Sequence, residues 1–125
     1  MNKVTRFEDL DCWKAARVLV KDLYHFTQDG PISRDWRLRD QLRSAAVSIM
    51  NNIAEGFGRK SDREFVRFLG IASASGHEVR SMLYVLEDIG YLKSENLKYF
   101  HGQTQMTINL TLGMIRYLKR KNGWD

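Results

Sequence analysis

One cysteine, three histidines and a glycine-rich basic stretch are the residues of this sequence that could do chemistry. Cys12 falls near the start of a predicted helix, where the helix dipole lowers a thiol pKa. No sequence context around it supports catalysis, and beside Trp13 it reads as a packed side chain. His77-Glu78 begins like a zinc-protease pair, but the residue four after His77 is Ser81, so the second ligand is missing. A di-iron bundle needs two Glu-x-x-His pairs and two further glutamates. Asp22-x-x-His25 is the nearest approach, once and with the wrong acid, and His101 has no such partner. Gly56-Phe-Gly-Arg-Lys-Ser61 resembles part of a phosphate loop, but Arg59 stands where the loop needs glycine and no strand precedes it. It reads more simply as a turn between helices. Gly58, Arg59, Lys60, Arg63 and Arg67 nevertheless set cations beside a helix N-terminus, which suits a phosphate, with a solvated loop as the alternative. Asn51, Asn52, Glu55 and Glu78 read as caps and salt bridges. The expectation is a protein that is not an enzyme, with no catalytic residue, no metal and no cofactor.

The elements that must position these residues are helices. Gly30-Pro31, Gly56 to Gly58 and Gly90 are the strong breaks, and nothing between them alternates as a half-buried strand would. The four pieces predict helices over about 9–27, 34–55, 62–89 and 95–121. Trp13, Ala16, Val20 and Leu23 line one face of the first, and Thr5-x-x-Glu8 resembles a capping box near its start. Ser33 is the expected N-cap of the second, Leu38, Leu42, Ala45, Ile49 and Ile53 its seam, and Gly56 its left-handed stop. Ser61-Asp-Arg-Glu64 is a capping box for the third, lined by Phe65, Phe68, Leu69, Ala72, Val79, Leu83 and Leu86 and closed by Gly90-Tyr91. Ser94 is the expected cap of the fourth, with Leu97, Phe100, Met106, Leu110, Met114 and Tyr117 as its seam. Short connections make sequential helices antiparallel neighbours. The fold expected is therefore all-α, one domain over 1–125, an up-down-up-down four-helix bundle.

Composition fits that picture. Apolar residues are 43% and charged residues 28% of the 125, a globular balance. A single cysteine excludes an internal disulfide and suits a reducing compartment. The first residues lack a signal-like apolar run, and no stretch reaches the ~20 apolar residues of a membrane span. A soluble, cytoplasmic protein with no membrane partner is expected. The net charge of +5 leans toward polyanions, though solubility alone would also explain it.

Two features exceed the needs of one core. Met82-Leu-Tyr-Val-Leu86 covers every side of a helix at 100° per residue, and Ile108, Leu112 and Ile115 lie off the main seam of the fourth helix. Met82, Tyr84, Val85, Ile108, Leu112 and Ile115 are thus candidates for a subunit contact. Gly70-Ile-Ala-Ser-Ala-Ser-Gly76 places two glycines inside the third helix, each costing about 1 kcal/mol against alanine. Either tight packing on the second helix, which offers Ser44-Ala-Ala46, or a subunit contact offsets that cost.

Phe7-Glu-Asp-Leu10 with Trp13-Lys-Ala15, Gln41-Leu-Arg-Ser-Ala-Ala46, Asn52-Ile-Ala-Glu-Gly-Phe-Gly-Arg59, and Phe68-Leu-Gly-Ile-Ala-Ser73 with Glu78 together resemble the four helix bundle protein family. Its members are encoded by intervening sequences in bacterial 23S ribosomal RNA genes and are also labelled ribosomal-protein-like. The resemblance spans nearly the whole chain, and Asn52 to Arg59 is its most specific part. It implies a bundle assembling into a homopentameric ring without known enzymatic activity. The family is similar to accessory proteins of diversity-generating retroelements, basic pentameric barrels that bind nucleic acid and a reverse transcriptase. Ser73-Ala-Ser-Gly76 departs from the family's usual glycine-serine step.

The function expected is an oligomeric accessory protein that binds an RNA or DNA backbone, in a ribonucleoprotein or ribosome-related setting. Arg37, Arg39, Arg43, Arg59, Lys60, Arg63 and Arg67 are the first candidate cluster, and Arg116, Lys119, Arg120 and Lys121 the second. The alternative is a scaffold whose ring presents helix ends to a protein partner, with no nucleic acid.

Overall fold

A computed structural model describes residues 3–125, and among them it holds four α-helices, two short 3-10 turns and no strand. The helices are α1 (Asp11–Phe26), α2 (Trp36–Gly58), α3 (Asp62–Asp88) and α4 (Ser94–Asn122).

Helix α1 starts two residues later than predicted, because Phe7–Asp9 forms a 3-10 turn and Leu10 is the N-cap without a side-chain bond. The Thr5-x-x-Glu8 box is therefore not the helix start. Phe7 instead packs edge-on against Trp13 at 5.2 Å, and Leu10 is buried, fixing how the chain enters the helix. Ser33 does not cap α2. Its hydroxyl donates to the Gly30 carbonyl at 2.6 Å within the 3-10 turn Pro31–Arg34, and Asp35 caps the helix by accepting from the Leu38 N–H at 3.4 Å.

Gly56 does not stop α2 either. The helix runs on to Gly58, and Lys60 takes the left-handed position with φ of 61°. Gly56 is buried inside the helix, where a Cβ would lie 2.5 Å from Phe68 Cβ. Its missing side chain is what lets α2 and α3 approach. Ser61 caps α3 as predicted, accepting from the Glu64 N–H at 3.3 Å. The return half of the box is not made, since the Glu64 carboxylate binds Arg67 instead. Gly90 has φ of 80°, and the Tyr91 N–H reaches the Leu86 carbonyl at 2.8 Å, a glycine-closed helix end.

The fourth helix departs most from its predicted face. Ser94 is its first residue, with φ of 52°, and Lys93 is the N-cap. Met106 and Tyr117 are exposed and Leu97, Leu110 and Met114 only partly buried. The buried stripe is Phe100, Thr104, Thr107, Ile108, Thr111 and Leu118. Three threonines can face a core because each hydroxyl donates one turn back, to the carbonyls of Phe100, Gln103 and Thr107 at 2.7–2.8 Å. No hydroxyl is then left unpaired away from water.

Each helix packs on two others, α1 and α3 both lying against α2 and α4. Between α2 and α3, Asp35 meets Tyr91, Ser48 meets Ser75 at 2.9 Å, and Gly56 meets Phe68. Between α3 and α4, Asp62 bonds Asn122 and Gly76 accommodates Ile108. Between α1 and α4, Tyr99 donates to Asp22, and Phe26 packs tilted against Phe100 at 5.4 Å. Leu19, Leu23, Leu42, Ile49, Ile53, Leu69, Leu83 and Leu86 fill the centre. Removing this much apolar surface from water is the main stabilising term.

This packing sorts the surplus apolar residues. Met82 (6% exposed) and Ile108 (1%) belong to the core of the single chain, which corrects their expected place on an exposed contact face. Leu112 and Ile115 are half-buried, Ile115 against the core. Tyr84 (50%) and Val85 (44%) face solvent. The two glycines of α3 also part company: Gly76 is buried, where a Cβ would lie 2.6 Å from Ile108 Cγ1, while Gly70 is exposed with open space around it.

Candidate nucleic-acid interface

The predicted basic clusters are regrouped by the fold. Helix α2 is about 34 Å long at 1.5 Å per residue, so Arg37, Arg39 and Arg43 lie at the opposite end of the bundle from Arg59, Lys60, Arg63 and Arg67. The latter four share their end with the last turns of α4. Lys121 Nζ stands 3.3 Å from Asp62 Oδ2, Asn122 donates to the same oxygen at 3.0 Å, and Arg63 lies over the Trp124 ring. Arg116, Lys119 and Arg120 belong to these same turns of α4. Two stretches separated by some fifty residues, as the numbering shows, thus form one basic end.

Aromatic rings hold several of these cations. Arg59 and Arg67 both lie over the Phe68 ring, at 5.0 and 4.6 Å, and Arg63 lies 4.3 Å over Trp124. A guanidinium laid on a ring loses side-chain freedom while its N–H edge still points to solvent. Arg67 is also tied to Glu64 by two bonds of 3.0 and 3.4 Å, which hold the carboxyl of Glu64 below its ordinary value and raise Arg67. The Asn122 bond, followed by Lys121, lowers Asp62 likewise. Arg59, Lys60, Arg63, Arg116, Lys119 and Arg120 have no carboxylate within 4 Å among the described residues. Because Asp62 and Glu64 occupy the first turn of α3, phosphate at this end would meet these side chains rather than the helix amides.

Two of the three arginines at the far end are structural. Arg43 Nε donates to Thr27 Oγ1 at 2.7 Å, its Nη2 to the Tyr24 carbonyl at 3.3 Å, and its plane lies 4.3 Å over Tyr24. It closes the C-terminal end of α1, where cations suit the dipole. Arg43→Ala is expected to destabilise the fold by about 1–2 kcal/mol in urea unfolding and to leave nucleic-acid affinity unchanged. Arg39 is held by Asp40 at 2.9 Å and by the Ser33 carbonyl at 3.1 Å. Arg37 is exposed beside Trp36.

Of the residues weighed for chemistry, Cys12 is buried, and burial pushes its thiol up to about 11, far from a ready nucleophile. The His101 ring packs tilted against Tyr84 at 4.7 Å, and His25 and His77 are exposed. The aromatic supports Phe68 and Trp124 were not anticipated as part of a site. Trp124 had one signal, a large ring two residues past a basic helix end.

The model of the 23S rRNA-intervening sequence protein family matches residues 8–113. The chain belongs to this family. No curated protein matches it. The matched span includes Arg37 to Arg67, whereas Arg116, Lys119, Arg120, Lys121 and Trp124 lie beyond it. No described helix is long and apolar enough to cross a membrane.

Proposed function

We propose that the protein is a non-enzymatic, self-assembling accessory factor that holds RNA or DNA by its phosphates. The observation that carries this reading is the joining of the α2–α3 turn and the end of α4 into one basic end, with Arg59 and Arg63 pre-positioned on Phe68 and Trp124. Such groups position a backbone without reading its sequence. The family's name supports an RNA-related setting. The helix pairings fit an antiparallel up-down-up-down bundle, and exposed Tyr84 and Val85 supply apolar surface for association in a homopentameric ring that would repeat the basic end around its axis.

Filter binding of single-stranded RNA at two salt concentrations tests the central claim. Affinity should fall steeply as salt rises, because each neutralised phosphate releases counterion. Salt-insensitive binding, or none at low salt, rejects it. Solution mass should be about five times the 14.6 kDa of one chain. A protein partner retained after nuclease digestion would favour a scaffold instead.

A further inference from the structure

At the far end of the subunit, away from the basic end, Trp36 is 70% exposed, the most exposed of the large apolar side chains. An indole left in water is an uncommon outlay for a fold that buries its other large rings at least halfway. It forms part of a shallow, open cleft of about 560 Å³ whose other walls are Pro31, Arg34, Asp35, Arg37 and Tyr91. The acid in that cleft is already engaged: Asp35 accepts from the Leu38 N–H and from the Tyr91 hydroxyl at 3.1 Å. The two guanidiniums are not, since neither Arg34 nor Arg37 has a carboxylate within 4 Å among the described residues. The cleft therefore offers an aromatic face flanked by two guanidiniums without an ion-pair partner and one carboxylate whose oxygens are already hydrogen-bonded.

We infer that this cleft binds an unpaired nucleotide, with the base stacked on Trp36 and the adjoining phosphates held by Arg34 and Arg37. The inference rests on the nucleic-acid reading above and deepens it to a single-stranded ligand. Base stacking on an exposed ring tolerates any base but requires that the base be unpaired. A duplex hides its base faces and has only phosphates to give. Charge complementarity favours this occupant over a second copy of the chain. A protein contact here would strip water from two guanidiniums that have no acid of their own to pair with, whereas a phosphodiester supplies that charge. The basic end would then grip backbone of any form, and the cleft would select the unpaired part.

Fluorescence anisotropy with a labelled oligouridylate and with a fully paired RNA duplex of equal length separates the two sites. Trp36→Ala should weaken the oligouridylate about tenfold and leave the duplex within twofold. Trp36→Phe, which keeps a ring, should retain most of the affinity. Arg34→Ala with Arg37→Ala should weaken the single strand likewise. Single-strand binding should also quench tryptophan emission in the wild type and lose most of that quenching in Trp36→Ala. Equal binding of oligouridylate by wild type and Trp36→Ala overturns the cleft and leaves the basic end standing. So does an equal loss on both ligands, or a change in particle mass on Trp36→Ala, which would make Trp36 a subunit contact. A wild-type protein that binds neither ligand at low salt removes the broader reading as well.

Discussion

Gly56→Ala should destabilise the protein by about 2 kcal/mol, although alanine is the better helix former. The substitution gains about 1 kcal/mol of helix propensity. It also places a methyl 2.5 Å from Phe68 Cβ and 3.2 Å from Phe65 Cδ1. Phe68 Cβ is joined directly to the α3 backbone, so no rotamer change relieves the contact and the helices must part locally. Overpacking of this kind costs about 1–3 kcal/mol, and with a 2.5 Å contact that no rotamer relieves the upper end applies, leaving about 2 kcal/mol after the propensity gain. The same packing bears the Arg59 and Arg67 guanidiniums on the Phe68 ring, so the variant should bind RNA less well at the basic end too. Gly70→Ala is the control. It stands in open space on the exposed side of α3 and should stabilise by about 0.5–1 kcal/mol. Urea unfolding of both variants at one protein concentration reads the pair. A neutral or stabilising Gly56→Ala would mean that α2 and α3 do not approach as closely as described.

The contrast between these glycines marks how far the sequence could be read. Helix number, order and approximate spans were legible, because Gly30-Pro31, Gly90-Tyr91 and the Ser61 cap act through neighbours in the chain. The inner faces of α2 and α3 were legible through the spacing of their leucines and isoleucines. The inner face of α4 was not, because Thr104, Thr107 and Thr111 are polar by composition and apolar only once each hydroxyl is bonded to its own helix. That hid Ile108 as a core residue and made Met106 and Tyr117 look like one. Gly56 sat where a helix stop belongs, and only the position of Phe68 in space reveals its role. The site was half legible. The basic residues could be named, but that Arg59 to Arg67 join Lys121 while Arg43 closes α1 depends on which helix ends meet.

Replacing Arg59 and Arg63 by glutamine and Lys60 by asparagine should lower RNA affinity about a hundredfold at low salt, or about 2.7 kcal/mol. Asparagine is chosen because Lys60 has φ of 61°, which that residue tolerates. Three lost phosphate contacts should also flatten the dependence of log affinity on log salt by about 2, at roughly 0.7 per contact for a single strand. Arg67→Gln should cost only a few-fold, since Glu64 already engages that guanidinium. An unchanged salt slope in the triple variant would show that phosphates are held elsewhere. A Arg67→Gln effect as large as the triple's would show that the Glu64 pair opens on binding.

The burial of Cys12 gives the molecule a built-in clock. A single sulfhydryl on the buried face of the first helix, its pKa pushed up to about 11 by burial, reacts with an alkylating reagent only when the surrounding structure opens. The rate of that labelling reports how often the helix detaches, without any engineered probe. If self-association holds the subunit shut, labelling should slow as the protein is concentrated, and the dependence would read the strength of assembly directly.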